Sequence, residues 1–190
     1  MAPVPDAVDL NDLCAAAVDA ASDGESVEAF AEEGRRTEAS AFHGEVEGLE
    51  FAESRGVGVR VILDGRLGYA YAADPSEEEV REAVRLARAN AALAEPDEGN
   101  ALPPTAAGID RMPELFDERT AAASTDHKIT LALDLEARTI GSDPRVTKVD
   151  TARFGDEVSR VAIASTNGVR AEYSRTDAWC VTVALAVDGD

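Results

Sequence analysis

Apolar residues recur at helical spacing in three stretches of the chain. These stretches predict helices over residues 10–22, 77–94 and 126–140. The first is expected to stop at Gly24, and the second begins with a capping box in which Glu79 follows the cap by three residues. The predicted N-terminal caps are Asp9, Ser76 and Asp126.

Two further regions alternate apolar and polar residues with a period of two, which is typical of half-buried strands. The first predicts a meander of five strands, at 27–36, 38–43, 46–53, 56–63 and 66–72. The second predicts strands at 146–154, 157–165 and 169–187. In the last strand, Trp179, Val181, Val183 and Leu185 share one face with Val187. The segment between Glu95 and Thr125 is proline-rich and predicts a surface connection with short helical turns at most.

Glycine-containing turns organise the strands. Asp64-Gly65 and Asn167-Gly168 are tight-hairpin dipeptides, because both central positions of such a turn require positive φ. Gly56 and Gly58 precede a strand, whereas a phosphate-binding loop precedes a helix, so close strand packing or a bulge is the better explanation. Arg60 and Gly68 complete the set of structural strand and turn positions: Gly56, Gly58, Arg60, Asp64, Gly65, Gly68, Asn167 and Gly168.

Together these elements predict an α+β fold with about three helices and antiparallel or mixed sheets. Their order is helix, β-meander, two helices, β-meander. The two hairpins are expected to anchor two sheets of one unit. Because the chain stops at Asp188-Gly189-Asp190, where a hairpin would turn, we expect it to be the N-terminal part of a larger protein.

Net charge is the property of the composition that says most about possible partners and surroundings. The 38 acidic residues exceed the 18 basic residues, giving a formal net charge of −20. A field of that sign repels phosphate backbones, so no nucleic-acid partner is expected. Two explanations for the acidity stay open: adaptation to a salt-rich cytoplasm, and a merely acidic protein from a GC-rich genome that prefers arginine to lysine.

The apolar runs are too short for a membrane helix, and the first nine residues lack the positive charge that opens a secretory signal. We therefore expect a cytoplasmic protein without a membrane partner. The two cysteines, Cys14 and Cys180, do not form a disulfide framework for a chain of this size, and we expect both to be buried thiols.

Catalytic signatures are scarce. His43 and His127 are the two histidines, and they lie far apart in sequence, in a predicted turn and at a predicted helix start. A zinc peptidase of the H-E-x-x-H type places both histidines on one helical face, and a serine hydrolase of the α/β type has a G-x-S-x-G turn; neither occurs here. We expect no catalytic and no metal-binding residue in this sequence, and the acidic runs are interpreted as solvated faces and helix caps.

Several segments in a fixed order resemble the TldD/PmbA (TldD/TldE) family. They read GEVE at 44–47, ESRGVGVRV at 53–61, DGRLGYA at 64–70, GNALP at 99–103, DPRV at 143–146 and STNGV at 165–169. Residues 1–190 then correspond to the N-terminal domain of a TldD/PmbA-type protein. The resemblance implies a cytoplasmic zinc metallopeptidase complex that cleaves unfolded peptides, in which this domain forms chamber walls and part of a dimer contact.

In that family the zinc ligands, an H-E-x-x-x-H helix and a cysteine, belong to the C-terminal domain of the TldD-type subunit. No metal or catalytic residue transfers to this sequence. The resemblance also implies a homo- or heterodimer with a TldD/PmbA-type subunit. The forms of 102–103 and 165–169 favour the PmbA/TldE type, which lacks the metal motif. The alternative is a non-catalytic partner subunit, or a peptide-binding module that captures extended segments at a sheet edge.

Overall fold

The computed structural model describes residues 9–73, 75–105 and 113–188, which form four α-helices, five strands and one 3-10 turn at Pro113–Leu115. The helices are α1 (Leu10–Asp19), α2 (Glu77–Leu93), α3 (Glu118–Ala121) and α4 (Thr125–Ile140). The strands are β1 (Ser26–Phe42), β2 (Glu45–Leu63), β3 (Arg66–Ala73), β4 (Val146–Ser165) and β5 (Arg170–Ala186). The predicted α+β class is confirmed, and the helix count is close to the expected three.

One antiparallel sheet contains all five strands, in the order β3-β2-β1-β4-β5. The expectation of two sheets is therefore wrong, because the strand after α4 pairs with β1 instead of starting a sheet of its own. A backbone hydrogen bond of 2.9 Å from Thr166 N to Val27 O joins the end of β4 to the start of β1. Strands β2 and β3 pair from Gly56 with Ala73 to Leu63 with Arg66.

Three predicted strand breaks are absent. The predicted strands at 27–36 and 38–43 form one strand, β1, and the same fusion produces β2 and β4. The chain divides into two compact units, and three of the five boundaries between them, after Gly34, Glu53 and Val158, fall inside these long strands. Near the boundaries in β1 and β4 the strand leaves one core and enters another while it remains one strand, whereas residues 45–53 of β2 lie outside both cores. The alternation of apolar and polar residues reflects the burial of side chains and does not show where the backbone pairing of a strand ends.

Local capping chemistry explains where the helices begin. Asp9 caps α1, and its carboxylate accepts a 2.8 Å hydrogen bond from Asn11 N. Ser76 and Glu79 form the predicted capping box of α2. The predicted cap of the last helix is wrong: Ser124, not Asp126, accepts a 3.2 Å hydrogen bond from His127 N. The hydroxyl of Ser124 satisfies the free amide of the third helical residue, so the helix starts at Thr125.

The first unit comprises residues 1–34, 54–113 and 159–174. Its core lies between α1 and α2 on one side and alternate residues of β1, β2 and β4 on the other. Fully buried valines and leucines dominate it: Leu10, Leu13, Val27, Val57, Val59, Val61, Val80 and Val84.

The second unit comprises 35–53, 114–158 and 175–190. Its core is smaller and built largely from alanines, with α4 packed on β1 and β4. The buried members are Ala39, Ala41, Ala132, Val149 and Ala152, flanked by Ile129, Leu133, Leu135 and Phe154.

Strand β5 corrects two expectations about burial. Its apolar positions are exposed in the described structure, with Val183 and Leu185 each 46% accessible. Cys180 is also exposed, whereas Cys14 is buried. The predicted burial of Cys180 is therefore wrong, because β5 is the edge strand of the sheet and no described element covers it.

Among the described residues, none of the helices combines the length and apolarity needed to cross a bilayer. The expectations about the first eight residues and about Gly189-Asp190 fall outside the described residues, as does part of the proline-rich connection, 106–112.

Candidate functional site

The two predicted hairpin turns hold the same connecting segment of the first unit. Asp64 and Gly65 form the β2–β3 turn with φ of 50° and 72°. The carbonyl of Gly65 accepts hydrogen bonds from Asp97 N at 2.9 Å and Asn100 Nδ2 at 2.8 Å.

At the other turn, Gly168 has φ of 85°. The amide of Asn167 donates to the carbonyls of Leu102 and Pro103 at 3.4 and 3.3 Å, and the carbonyl of Asn167 accepts from the hydroxyl of Thr105. Residues 97–105 are thus fixed at both ends by turn residues, which gives Asn100, the polar side chain of the GNALP segment, a structural role.

Gly68 lies where β3 meets α2. A methyl group built on Gly68 would collide with the carbonyl of Ala87 and the backbone nitrogen of Ala91. Those two positions of α2 are alanines, so helix and strand approach closely. Gly68 therefore fixes the separation of α2 from the sheet.

Gly56 and Gly58 form the floor of a trough on the sheet face opposite α1 and α2. Their neighbours Val57 and Val59 point into the core, so the glycines face the other way. The ring of Tyr71 lies over Gly56, where any Cβ would overlap it. At Gly58 the nearest atom to a built Cβ is the carbonyl oxygen of Phe30, at 4.0 Å.

The trough encloses about 220 Å³, and its walls are two exposed aromatic rings, Phe30 at 42% and Tyr71 at 67% accessibility. Its remaining lining residues are Glu32, Ser54 and Arg55. Arg55 pairs with the buried Glu33, with 3.6 Å between Nε and Oε2. The trough therefore combines aromatic walls, a backbone floor and one exposed carboxylate.

Arg60, the remaining predicted strand position, lies on the same face as the glycines. Its Nε is 2.8 Å from Oε1 of Glu28, and that carboxylate is mostly buried. The charge of Arg60 is therefore balanced within the sheet.

The described residues do not fit a catalytic zinc. They contain no group of three histidine, cysteine or acidic side chains placed to hold a metal ion. His43 lies in the β1–β2 turn with its ring against Phe42, 4.1 Å between centroids, and His127 lies in the first turn of α4. Burial raises the pKa of the Cys14 thiol to about 11, which disfavours the thiolate that zinc requires.

Two buried charged groups in the second unit are absent from the sequence expectations. Lys128 Nζ lies 2.7 Å from Asp156 Oδ2 and 3.2 Å from Thr37 Oγ1. Glu136 accepts hydrogen bonds from the backbone amides of His43 and Gly44, at 2.7 and 2.9 Å. Both groups link α4 to the sheet strands or to their turn.

The trough was also missed by sequence reasoning. A signal for it does exist: two glycines at i and i+2 leave a bare strip on one strand face, and aromatic residues at alternate positions of neighbouring strands would border it. The pairing of Phe30 with Gly58, however, depends on strand register across β1 and β2, which the sequence pattern leaves open.

Two family models match consecutive parts of the chain. Residues 27–91 match PmbA/TldA metallopeptidase domain 1, and residues 118–190 match the PmbA/TldA metallopeptidase central domain. No curated protein matches the sequence.

Solved structures with the same fold cover nearly the whole chain. A proposed modulator of a DNA gyrase from Thermotoga maritima superposes with a TM-score of 0.70 at 21% identity, covering 95% of this chain and 40% of its own. TldE from Thermococcus kodakarensis superposes with a TM-score of 0.74 at 20% sequence identity. The match covers 94% of this chain and 39% of the TldE chain. A proposed modulator of DNA gyrase from Bacteroides thetaiotaomicron superposes with a TM-score of 0.74 at 20% sequence identity. The match covers 87% of this chain and 38% of the other chain. The chain thus spans about two fifths of the length of the structures it matches.

Proposed function

We propose that this chain, which belongs to the PmbA/TldD metallopeptidase family, supplies the non-catalytic N-terminal part of a zinc peptidase complex that acts on unfolded peptides. The observation that carries the proposal is the pair of family-domain matches in consecutive order, domain 1 followed by the central domain. The function of the whole complex is inferred from that membership.

In this proposal the zinc ligands lie outside residues 1–190, in the C-terminal domain of a TldD-type subunit. The side chains described above do not fit the metal: the cysteine of α1 stays protonated, and both histidines lie in local turn and cap structures. The chain's own contribution is to bind and enclose substrate within a cytoplasmic homo- or heterodimer of TldD/PmbA-type subunits.

A second candidate is a non-catalytic subunit or module that binds an extended peptide by strand addition. The observation in its favour is that β5 is an edge strand whose apolar side chains are exposed, including Val181 and Leu185. An extended segment can pair with such an edge through main-chain hydrogen bonds. The similarity to the TldE fold agrees with either candidate.

Peptide hydrolysis separates the two. Three samples are compared on an unstructured fluorogenic peptide: the 190-residue chain, the longer protein that the proposal implies, and that protein with a TldD-type subunit. We expect cleavage by at least one of the two larger samples, loss of it with a chelator, and none by the chain alone.

Cleavage that requires the added subunit would assign the non-catalytic type. Hydrolysis by the 190-residue chain that disappears in His43→Ala or His127→Ala would contradict the proposal.

A further inference from the structure

We propose that the trough over Gly56 and Gly58 binds a cationic side chain, arginine above all, of an extended peptide. The inference rests on the proposed function, because it assigns a side-chain preference to the peptide that the complex accepts.

The size of the trough suits one side chain. At about 220 Å³ it is smaller than the clefts of roughly 300–1,000 Å³ that hold drug-sized ligands. Its floor is bare backbone at Gly58, where the nearest atom to a built Cβ is 4.0 Å away, whereas the ring of Tyr71 covers Gly56. A ligand therefore approaches the sheet directly at Gly58. The trough is open to solvent above two exposed rings.

The walls favour a flat cation. Phe30 and Tyr71 line the trough beside the bare strip of β2, and a guanidinium group stacks on an aromatic face through both cation–π attraction and planar contact. A lysine ammonium gains the first of these but not the second. The aromatic walls therefore rank arginine above lysine.

The free charge at the trough is negative. Within the described part of the chain, Glu32 has neither a hydrogen bond nor an ion pair. The two neighbouring arginines each face a carboxylate: Arg55 lies 3.6 Å from Glu33, which also pairs with Arg160 at 3.0 Å, and Arg60 lies 2.8 Å from Glu28. A carboxylate beside aromatic walls pairs with a cation and repels an anion. The net charge of −20 adds a long-range attraction of the same sign.

The position of the trough suits an extended peptide. Tyr71 belongs to β3, the edge strand at one side of the sheet. A peptide lying along that edge can send one side chain across β3 onto the floor of the trough. Successive side chains of an extended peptide alternate in direction, so one arginine can enter while its neighbours stay in solvent.

The test uses the isotope-labelled 190-residue chain and two blocked, unstructured pentapeptides. One carries a central arginine, and the other carries citrulline, its neutral isostere. Titrations follow the backbone amide shifts of Gly56 and Gly58. We expect the arginine peptide to bind at least fivefold more tightly than the citrulline peptide and to shift both amides.

Variants locate the binding groups. Tyr71→Ala is expected to weaken arginine binding about threefold to tenfold, and Glu32→Gln about threefold, with a smaller preference over citrulline. Tyr69→Ala is the matched control, because Tyr69 is exposed on the same strand and face but does not line the trough, and it should leave the affinity unchanged. Gly58→Val fills the floor and should abolish binding.

Melting curves establish that each variant is folded, and the tyrosine pair decides the outcome if Gly58→Val does not fold. Equal affinity for the two peptides, shifts that map elsewhere, or equal effects of Tyr69→Ala and Tyr71→Ala would overturn the inference. If the arginine peptide does not bind while the complex still cleaves peptides, the inference about the trough is wrong and the proposed function stands. If the arginine peptide binds to the trough but the complex has no hydrolytic activity, the proposed function is wrong and the inference about the trough stands.

Discussion

The buried pair between Lys128 and Asp156 gives the sharpest test of how the second unit is held together. Both residues are nearly inaccessible, at 8% and 3%, and the ammonium is 2.7 Å from the carboxylate. Lys128→Met keeps the aliphatic stem and removes the charge, so the carboxylate of Asp156 is left buried without its cation. Removing one partner of a buried pair costs about 3–5 kcal/mol.

That cost is a large share of the roughly 5–15 kcal/mol that stabilises an ordinary domain. The double variant Lys128→Met with Asp156→Leu removes both charges and should recover most of the loss, because a buried pair is often replaceable by apolar residues of similar volume. Thr37 loses one hydrogen bond in either variant, which adds about 1 kcal/mol. The two substitutions are therefore strongly non-additive.

Urea denaturation measured by Trp179 fluorescence provides the assay, because the only tryptophan belongs to the second unit. With a slope near 2 kcal/mol per molar urea, Lys128→Met should lower the midpoint by about 2 M. Lys148→Met is the matched control, since Lys148 is the other lysine, is exposed, and lies 5.5 Å from the ring of Phe42. Equal midpoints for the two single variants would refute the reasoning.

Three further predictions concern packing, thiols and charge. Gly68→Ala should lower the free energy of unfolding by about 1–3 kcal/mol through overlap with the α2 backbone, whereas Gly58→Ala should change it by less than about 1 kcal/mol; equal melting temperatures would contradict this. A thiol reagent should modify Cys180 at once and Cys14 only on unfolding. Because the pKa of Cys14 is raised from 9.0 to about 11, its contribution to stability is complete below pH 9 and declines as the pH rises toward 11, which alkaline melting curves of the wild type and Cys14→Ala measure. If the 38 carboxylates reflect adaptation to salt, the melting temperature should rise by several degrees between dilute buffer and molar potassium chloride, and a flat series would remove that explanation.

The elements that depend on local chemistry were predictable from the sequence. The capping box of Ser76 and Glu79 and the hairpin at Asp64-Gly65 each follow from residues within a few positions of one another. The helical stripes likewise identified the buried face of α2. Local rules of this kind also explain the one misplaced cap, because Ser124 and Asp126 are both competent capping residues.

Features that depend on distant partners were not predictable in the same way. The continuity of β1 through Gly34–Arg36 requires neighbouring strands that maintain its pairing where its apolar alternation stops. Likewise, burial of Lys128 needs an acidic partner from β4, and nothing near Lys128 in sequence indicates one. The exposure of the side chains of β5 depends on which elements pack over its two faces, and the pattern within the strand does not indicate this.

The rate at which an unstructured peptide is hydrolysed by the TldD/PmbA-type complex containing this chain tests the central claim most directly. The rate is measured before and after treatment with a chelator and again after zinc is restored, with the 190-residue chain assayed in parallel. The account predicts that the complex loses activity with the chelator and regains it with zinc, while the chain alone hydrolyses nothing. Chelator-insensitive hydrolysis by the complex, or hydrolysis by the chain alone, would contradict it.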